Sequence, residues 1–110
     1  MTSRAVPGLI LLLVVLMCSF IWADENQRGA GLYNNKCALC HGMKGDGKGP
    51  ASTAFHPAPV AFNDPEFWKK DPQHRINDSI IHGRGKMPAF PLTPEEIKAI
   101  SDYITNAFKK

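Results

Sequence analysis

The chain has 110 residues, which is enough for a single domain. It carries 13 Lys and Arg against 10 Asp and Glu, and one of the basic residues is Arg4, so residues 24–110 keep a net charge of +2. That charge is too small to predict a nucleic-acid partner, which needs a concentrated basic surface. A domain this small buries a modest share of its surface, so a large apolar cofactor would help to build its core.

The N-terminal segment, residues 1–23, is predicted to be a secretory signal peptide. Arg4 supplies a positive start, residues 6–23 are almost wholly apolar, and charged residues follow directly. We therefore expect cleavage after Ala23 and export to the periplasm, leaving residues 24–110 as the mature domain.

Two features of this leader keep other fates open. Ile21 stands where a signal peptidase prefers a small residue, and about 18 apolar residues can span a bilayer, so an uncleaved membrane anchor is one alternative. Cys18 could carry a lipid, although Met17 precedes it where lipoprotein signals place a small residue. Contact with a membrane is expected only if the leader is retained.

Helical spacing is evident after the leader. Gly29, Tyr33 and Cys37 recur every four residues, which predicts one face of a helix over residues 26–41. Residues 42–65 are too rich in Gly and Pro for regular structure.

A short helix over residues 64–70 and a longer one after it are predicted next. Asp71 is expected to cap the longer helix, with Pro72 in its first turn and Gly83 at its end. The apolar residues of this helix are Ile76, Ile80 and Ile81.

The C-terminal helix has the strongest pattern. Thr93 is expected to cap it, with Pro94 at the first helical position and Glu96 completing a capping box. Its apolar positions follow helical spacing: Ile97, Ile100, Tyr103, Ile104, Ala107 and Phe108. The sequence shows no strand pattern, so the domain is predicted to be all-α, and loops this long are expected to wrap around a ligand.

The segment Cys37-Ala38-Leu39-Cys40-His41 is C-x-x-C-H, the attachment sequence for c-type haem. Two cysteines at this spacing can form thioethers to the two vinyl groups of one haem, and the next residue can ligate the iron. A bare C-x-x-C would also suit a disulfide, half of a zinc site or a thioredoxin-like redox pair. Zinc would need a second matched pair of ligands, and a thioredoxin-like site a βαβ unit; the sequence offers neither. The prediction is one covalent haem c, tethered by Cys37 and Cys40 and ligated by His41.

Met87 is predicted to be the second iron ligand. A methionine sulfur is a usual partner of histidine at haem iron, and Met87 lies in a Gly- and Pro-rich loop well separated from the motif. Met43 is too close to His41 to reach the opposite face of a haem. His82 is the competing ligand, for which a helix-terminal surface position is the ordinary explanation.

With these motifs in place, residues 26–110 resemble class I cytochrome c of the short bacterial monohaem type. Gly29 and Tyr33 match the glycine and the aromatic residue that this family places eight and four positions before the first haem cysteine. Ile100 and Tyr103 match positions on the family's C-terminal helix. The resemblance implies a small cytochrome c fold, in which the N- and C-terminal helices cross and long loops wrap the haem.

The resemblance also implies roles for further residues. Pro50 fits the family's proline whose carbonyl accepts a hydrogen bond from the proximal histidine, which fixes the imidazole. Residues 85–90 resemble the loop that carries the distal methionine. Trp68 is expected either near the haem propionates or as a packing residue.

The resulting prediction is an electron carrier rather than an enzyme, because iron ligated on both faces offers no open site to a substrate and cycles between Fe(III) and Fe(II). Two alternatives stay open: a fixed electron-relay subunit of a membrane oxidoreductase, and a haem enzyme or gas sensor with an open sixth position. We expect a monomer that meets redox partner proteins. Lys44, Lys48, Arg84 and Lys86 are predicted to border the exposed haem edge and to attract an acidic partner.

Overall fold

The structure, a computed structural model, describes residues 6–110. It contains four α-helices, α1 (Val6–Lys36), α2 (Ala38–His41), α3 (Pro72–His82) and α4 (Pro94–Phe108). Two short 3₁₀ helices, Ser52–Ala54 and Pro65–Lys69, lie in the connections. No β-strand occurs among these residues. The all-α fold that the sequence predicts is confirmed.

Helix α1 is one uninterrupted helix from the apolar leader to the residue before Cys37. The predicted start of this helix at residue 26 was wrong: Asp24 and Glu25 are exposed positions of the same helix, and charged residues on an exposed helix surface do not end it. Every residue from Val6 to Arg28 is exposed, whereas Gly29 and Tyr33 are buried. The predicted buried face of this helix is therefore confirmed.

Helices α1 and α4 cross at Gly29. A Cβ atom at this position would overlap the carbonyl oxygen of Ala99 and would lie 3.0 Å from the Cβ of Tyr103. The two backbones can approach this closely only because Gly29 has no side chain. Arg28 and Glu96 add an ion pair across the same contact, with 3.5 Å between Nη2 and Oε1.

The core lies between α1, α3 and α4 and is built from aliphatic and aromatic side chains. Tyr33 and Ile100 are completely buried at its centre. The other core residues are Ala38, Phe62, Phe67, Ile76, Ile80, Ile97, Ile104 and Phe108. Burial raises the pKa of Tyr33, and its neutral hydroxyl donates a 2.7 Å hydrogen bond to the carbonyl of Gly42.

The predicted capping box of α4 is confirmed. Thr93 Oγ1 accepts from the Glu96 amide at 3.2 Å, and Glu96 Oε2 accepts from the Thr93 amide at 3.0 Å. The apolar stripe of this helix holds except at Ala107, which is exposed. Ser101 takes a core position instead, and its hydroxyl accepts a hydrogen bond from Gln73 Nε2 of α3.

Helix α3 has the predicted bounds but not the predicted cap. Asp71 has a φ of 41°, in the left-handed region, and its side chain makes no capping hydrogen bond. Ile76 and Ile80 are buried as expected, but Ile81 is 49% exposed. The predicted short helix before α3 is a 3₁₀ helix, with Asp64 Oδ1 accepting from the Glu66 amide at 3.0 Å.

Candidate functional site

The turn between α1 and α2 brings the motif side chains together. The Cys37 amide donates to the Tyr33 carbonyl at 2.8 Å, and the His41 amide donates to the Cys37 carbonyl at 2.9 Å, so backbone hydrogen bonds tie Cys37 to both helices. One helical turn therefore holds Cys37, Cys40 and His41 close together. Both cysteines are free thiols and are partly buried.

His41 is oriented by a backbone carbonyl. Its Nδ1 lies 2.9 Å from the carbonyl oxygen of Val60. Because a carbonyl can only accept, Nδ1 is the donor and Nε2 keeps its lone pair for another partner. Burial lowers the pKa of His41, against the hydrogen bond to Val60, and so favours the neutral imidazole that binds metals.

The predicted role of Pro50 as this hydrogen-bond acceptor is not what the structure shows. Pro50 is exposed, and Val60 accepts the bond from His41. The segment around Pro50 is tied to the backbone of α2 instead, since the Ala51 amide donates to the Leu39 carbonyl at 2.9 Å. The adjacent Gly49 is buried so closely against the Ala38 and Leu39 carbonyls that a side chain there would overlap them.

A cavity of about 430 Å³ lies beside the motif. Cys37, Cys40, His41 and Met87 all line it, whereas Pro50 does not. Most of the remaining wall is apolar and comes from α3, α4 and the loops: Phe55, Pro57, Ala58, Pro59, Val60, Phe62, Phe67, Ile76, Ile80, Pro88, Phe90, Ile100 and Ile104. This volume and this lining are typical of a site for an organic cofactor.

Met87 is held in place by a tight turn. The Arg84 amide donates to the Met87 carbonyl and the Met87 amide donates to the Arg84 carbonyl, both at 3.0 Å. Gly85, at the first central position of this turn, has a φ of 58°, which glycine adopts at no steric cost. The turn comes soon after the end of α3, and it places Met87 at the same cavity as the motif.

Met43 and His82, the residues that compete with Met87 as the second ligand, lie outside the cavity. Met43 is 64% exposed and does not line the cavity. His82 is also exposed and outside the cavity, with Nδ1 3.0 Å from Asp78 Oδ1. His56, which was not predicted to be an iron ligand, does line the cavity.

Phe62 and Arg75 line the cavity as well and were not singled out from the sequence. The Phe62 ring stacks on the His41 imidazole, with 4.8 Å between the ring centroids and 23° between the planes. Arg75 lies with its guanidinium 4.8 Å from the centroid of the Phe67 ring. An aromatic residue after a proline-rich loop and an arginine in a helix carry no motif, so no sequence signal pointed to them.

Trp68 has a packing role and does not line the cavity. Its Nε1 donates a 2.7 Å hydrogen bond to the Phe62 carbonyl, and its ring meets Phe67 edge to face at 5.1 Å between centroids. The ring donor is therefore already satisfied inside the protein, which argues against the alternative placement near haem propionates.

Among the described residues, the Lys, Arg, Asp and Glu side chains that line the cavity are all basic. Lys36, Arg75, Arg84 and Lys86 line it, and no Asp or Glu of the described residues does. No ion pair joins any of these four to another residue within 6–110. Lys44, which was predicted to belong to this basic border, is exposed but does not line the cavity, and the same is true of Lys48.

The donor set fits a haem better than a bare metal ion. Within residues 6–110, no group of three or more His, Cys, Asp or Glu side chains could hold a metal ion. An ion at His41 would therefore need other ligands as well, and the apolar cavity beside two free thiols suits a macrocycle that supplies them. Burial is the main reason that the pKa of Cys37 is raised to about 11, so this thiol is protonated at neutral pH.

Comparison with known proteins adds one finding to this geometry. A family model described as cytochrome c oxidase, cbb3-type, subunit III matches residues 24–104. The matched region begins directly after the apolar leader and includes the whole motif, Met87 and most of α4. A search of curated proteins finds none that matches the chain.

Proposed function

Because the chain belongs to the family of cbb3-type cytochrome c oxidase subunit III, a cytochrome c family whose members bind haem c and transfer electrons, we propose that it is an exported electron carrier with one covalently bound haem c. The observation that carries the proposal is the single cavity that Cys37, Cys40, His41 and Met87 line together. A disulfide pair or a zinc half-site would explain the two cysteines, but neither would explain why His41, Met87 and apolar walls share the same cavity.

Each of these residues would have a distinct task. Cys37 and Cys40 would hold the haem through thioethers, and His41 would offer Nε2 to the iron while Nδ1 donates to Val60. Met87 would supply a sulfur ligand from the turn after α3. The bound haem would supply a one-electron Fe(III)/Fe(II) couple.

We propose that the site carries electrons and is not enzymatic, because ligands from both His41 and Met87 would leave no position for a substrate. The apolar lining favours this use of the cavity, since it excludes water and raises the potential of a thioether-ligated iron. A haem enzyme or gas sensor would require Met87 to be uncommitted.

Replacing Met87 tests the proposal. The oxidised wild-type protein should show the weak red absorption band of sulfur-to-iron charge transfer, and Met87→Ala should abolish it. Met43→Ala is the matched control, because Met43 is exposed and outside the cavity, and it should leave the band unchanged.

A band that survives in Met87→Ala would remove Met87 as the ligand. If the wild-type protein instead has low-spin iron but no such band, His56 becomes the residue to replace next, since it lines the same cavity and His82 does not. A high-spin wild-type spectrum would favour the open-site haem enzyme or sensor.

A second candidate, a membrane-anchored electron-relay subunit, is favoured by α1. This helix is long and apolar enough to cross a membrane, none of its apolar span is buried, and it ends at the residue directly before the haem motif. The matching family is described as an oxidase subunit. The intact mass of the isolated protein decides between the two: loss of residues 1–23 supports the free carrier, and their retention with recovery in the membrane fraction supports the relay.

We also propose that the partner is an acidic redox protein that docks at the mouth of the cavity. Four basic residues, Lys36, Arg75, Arg84 and Lys86, line the cavity without an acidic residue among the described lining. Such a one-sign border attracts an oppositely charged surface and steers its approach.

A further inference from the structure

The Phe62 ring lies against one face of the His41 imidazole. The two centroids are 4.8 Å apart and the planes are 23° from parallel. The hydrogen bond from Nδ1 to the Val60 carbonyl fixes one atom of the imidazole but leaves the ring free to turn about that bond. A flat neighbour along the face of the imidazole limits this remaining rotation.

Phe62 is itself held firmly. Its side chain is 6% exposed, its amide donates to the Gly45 carbonyl at 2.6 Å, and its carbonyl accepts from Trp68 Nε1 at 2.7 Å. The edge of the Phe67 ring meets it at 5.2 Å between centroids. Because both backbone groups of Phe62 are hydrogen-bonded and its ring is packed in the core, the ring can hold a neighbouring side chain in one orientation.

We propose that residues 60–62 form a clamp on His41, in which the Val60 carbonyl sets the position of Nδ1 and the Phe62 ring sets the plane of the imidazole. Phe62 is then a positioning residue, acting on the iron only through His41. This inference rests on the proposed function, because the orientation of the ring matters only if His41 ligates the iron. Both restraints come from one three-residue stretch, so they move together.

The orientation of an axial imidazole has its own spectroscopic readout. In an oxidised low-spin haem protein, the orientations of the two axial ligands, the imidazole plane among them, determine how the unpaired electron is distributed. The g-values of the electron paramagnetic resonance spectrum and the order of the shifted haem-methyl signals in the NMR spectrum report this distribution. A residue that merely fills the core would change stability without changing either spectrum.

Phe62→Leu removes the flat face while keeping an apolar side chain, and it should shift the g-values and change the order of the haem-methyl signals. Phe108→Leu is the matched control. Phe108 is 7% exposed and stacks on Phe62 at 6.3 Å, but it does not line the cavity. It should leave both spectra as in the wild type while lowering stability. Phe62→Tyr keeps the ring and should keep the wild-type spectra.

Wild-type spectra in Phe62→Leu, or equal shifts in Phe62→Leu and Phe108→Leu, would overturn the clamp. If Phe62→Leu does not fold, the reduced wild-type protein decides. A proton–proton contact between the Phe62 and His41 rings in its NMR spectrum supports the clamp, and the lack of that contact overturns it. Failure of the proposed function looks different: a wild-type protein with high-spin iron would lack the sixth ligand of an electron carrier, and a wild-type protein that takes up no haem would leave His41 with no iron to ligate.

Discussion

Cys37 and Cys40 are the residues on which covalent attachment depends. A thioether forms when an S–H group adds across a vinyl double bond, so the reaction needs reduced thiols and no oxidant. Both thiols are free, and burial holds the pKa of Cys37 at about 11. Outside the cytoplasm an unclaimed pair at this spacing would oxidise to a disulfide. Haem attachment removes both thiols from that reaction.

Acid–acetone extraction should therefore leave the haem on the protein. Wild-type protein matured in a competent host should keep its colour in the aqueous phase, and the double variant Cys37→Ala with Cys40→Ala should release haem into the organic phase. Cys18→Ala is the control, since Cys18 is exposed on α1 and away from the cavity, and it should behave as the wild type. Free haem extracted from the wild-type protein would contradict covalent attachment.

The residues at the cavity divide into those that the sequence could predict and those that it could not. Cys37, Cys40, His41 and Met87 each have a side-chain chemistry that suits haem, and the structure places all four at one cavity. Val60 contributes a backbone carbonyl, which every residue has, so nothing in its identity could reveal its contact with His41.

At the scale of elements, the close crossing of α1 and α4 depends on one missing side chain. Alanine is the better helix former by about 1 kcal/mol, so Gly29 is unfavourable for α1 considered alone. The close packing of the two helices offsets this cost, and it requires glycine because the Ala99 carbonyl lies where a Cβ atom would be. The crossing also positions two core residues, Ile100 in the wall of the cavity and Tyr33 behind it.

Gly29→Ala should destabilise the protein. The overlap with the Ala99 carbonyl should cost about 1–3 kcal/mol, and the better helix propensity of alanine should offset about 1 kcal/mol of that cost. Gly31→Ala is the matched control on the same helix, because a Cβ at Gly31 meets no atom within 4 Å. It should stabilise the protein by up to about 1 kcal/mol. Free energies of unfolding from denaturant titrations measure both, and the same sign for the two substitutions would contradict the close crossing.

Helix boundaries were predictable where side chains specify them locally. Thr93, Pro94 and Glu96 define the start of α4 by their own hydrogen bonds and ring geometry, and the structure agrees. At Asp71 the residue type suited a cap, but the backbone reaches α3 in a left-handed conformation and the side chain makes no hydrogen bond to the helix amides. The path of the chain before α3 decides that conformation, and residue type alone does not encode it.

At the scale of the whole molecule, a net charge of +2 over residues 24–110 hides a local concentration of charge. The sequence could place basic residues in loops but could not show which loops meet at the cavity. Arg84 and Lys86 lie there as predicted, Lys36 and Arg75 join them, and neither Lys44 nor Lys48 lies there. Lys36 reaches the cavity because α1 ends there, and Arg75 because α3 packs against α4.

The border of basic residues predicts that electron transfer to an acidic redox partner slows as ionic strength rises, because salt screens the attraction that steers the encounter. Lys86→Glu should slow the reaction further at low salt, by up to about tenfold. Lys44→Glu makes the same charge reversal on an exposed loop lysine outside the cavity. Comparing the two variants therefore separates the effect of a charge at the cavity from the effect of net charge. Stopped-flow rates over a series of salt concentrations give the comparison. Equal slowing by the two variants would mean that net charge alone matters, and a rate independent of salt would place docking on exposed apolar residues such as Leu39.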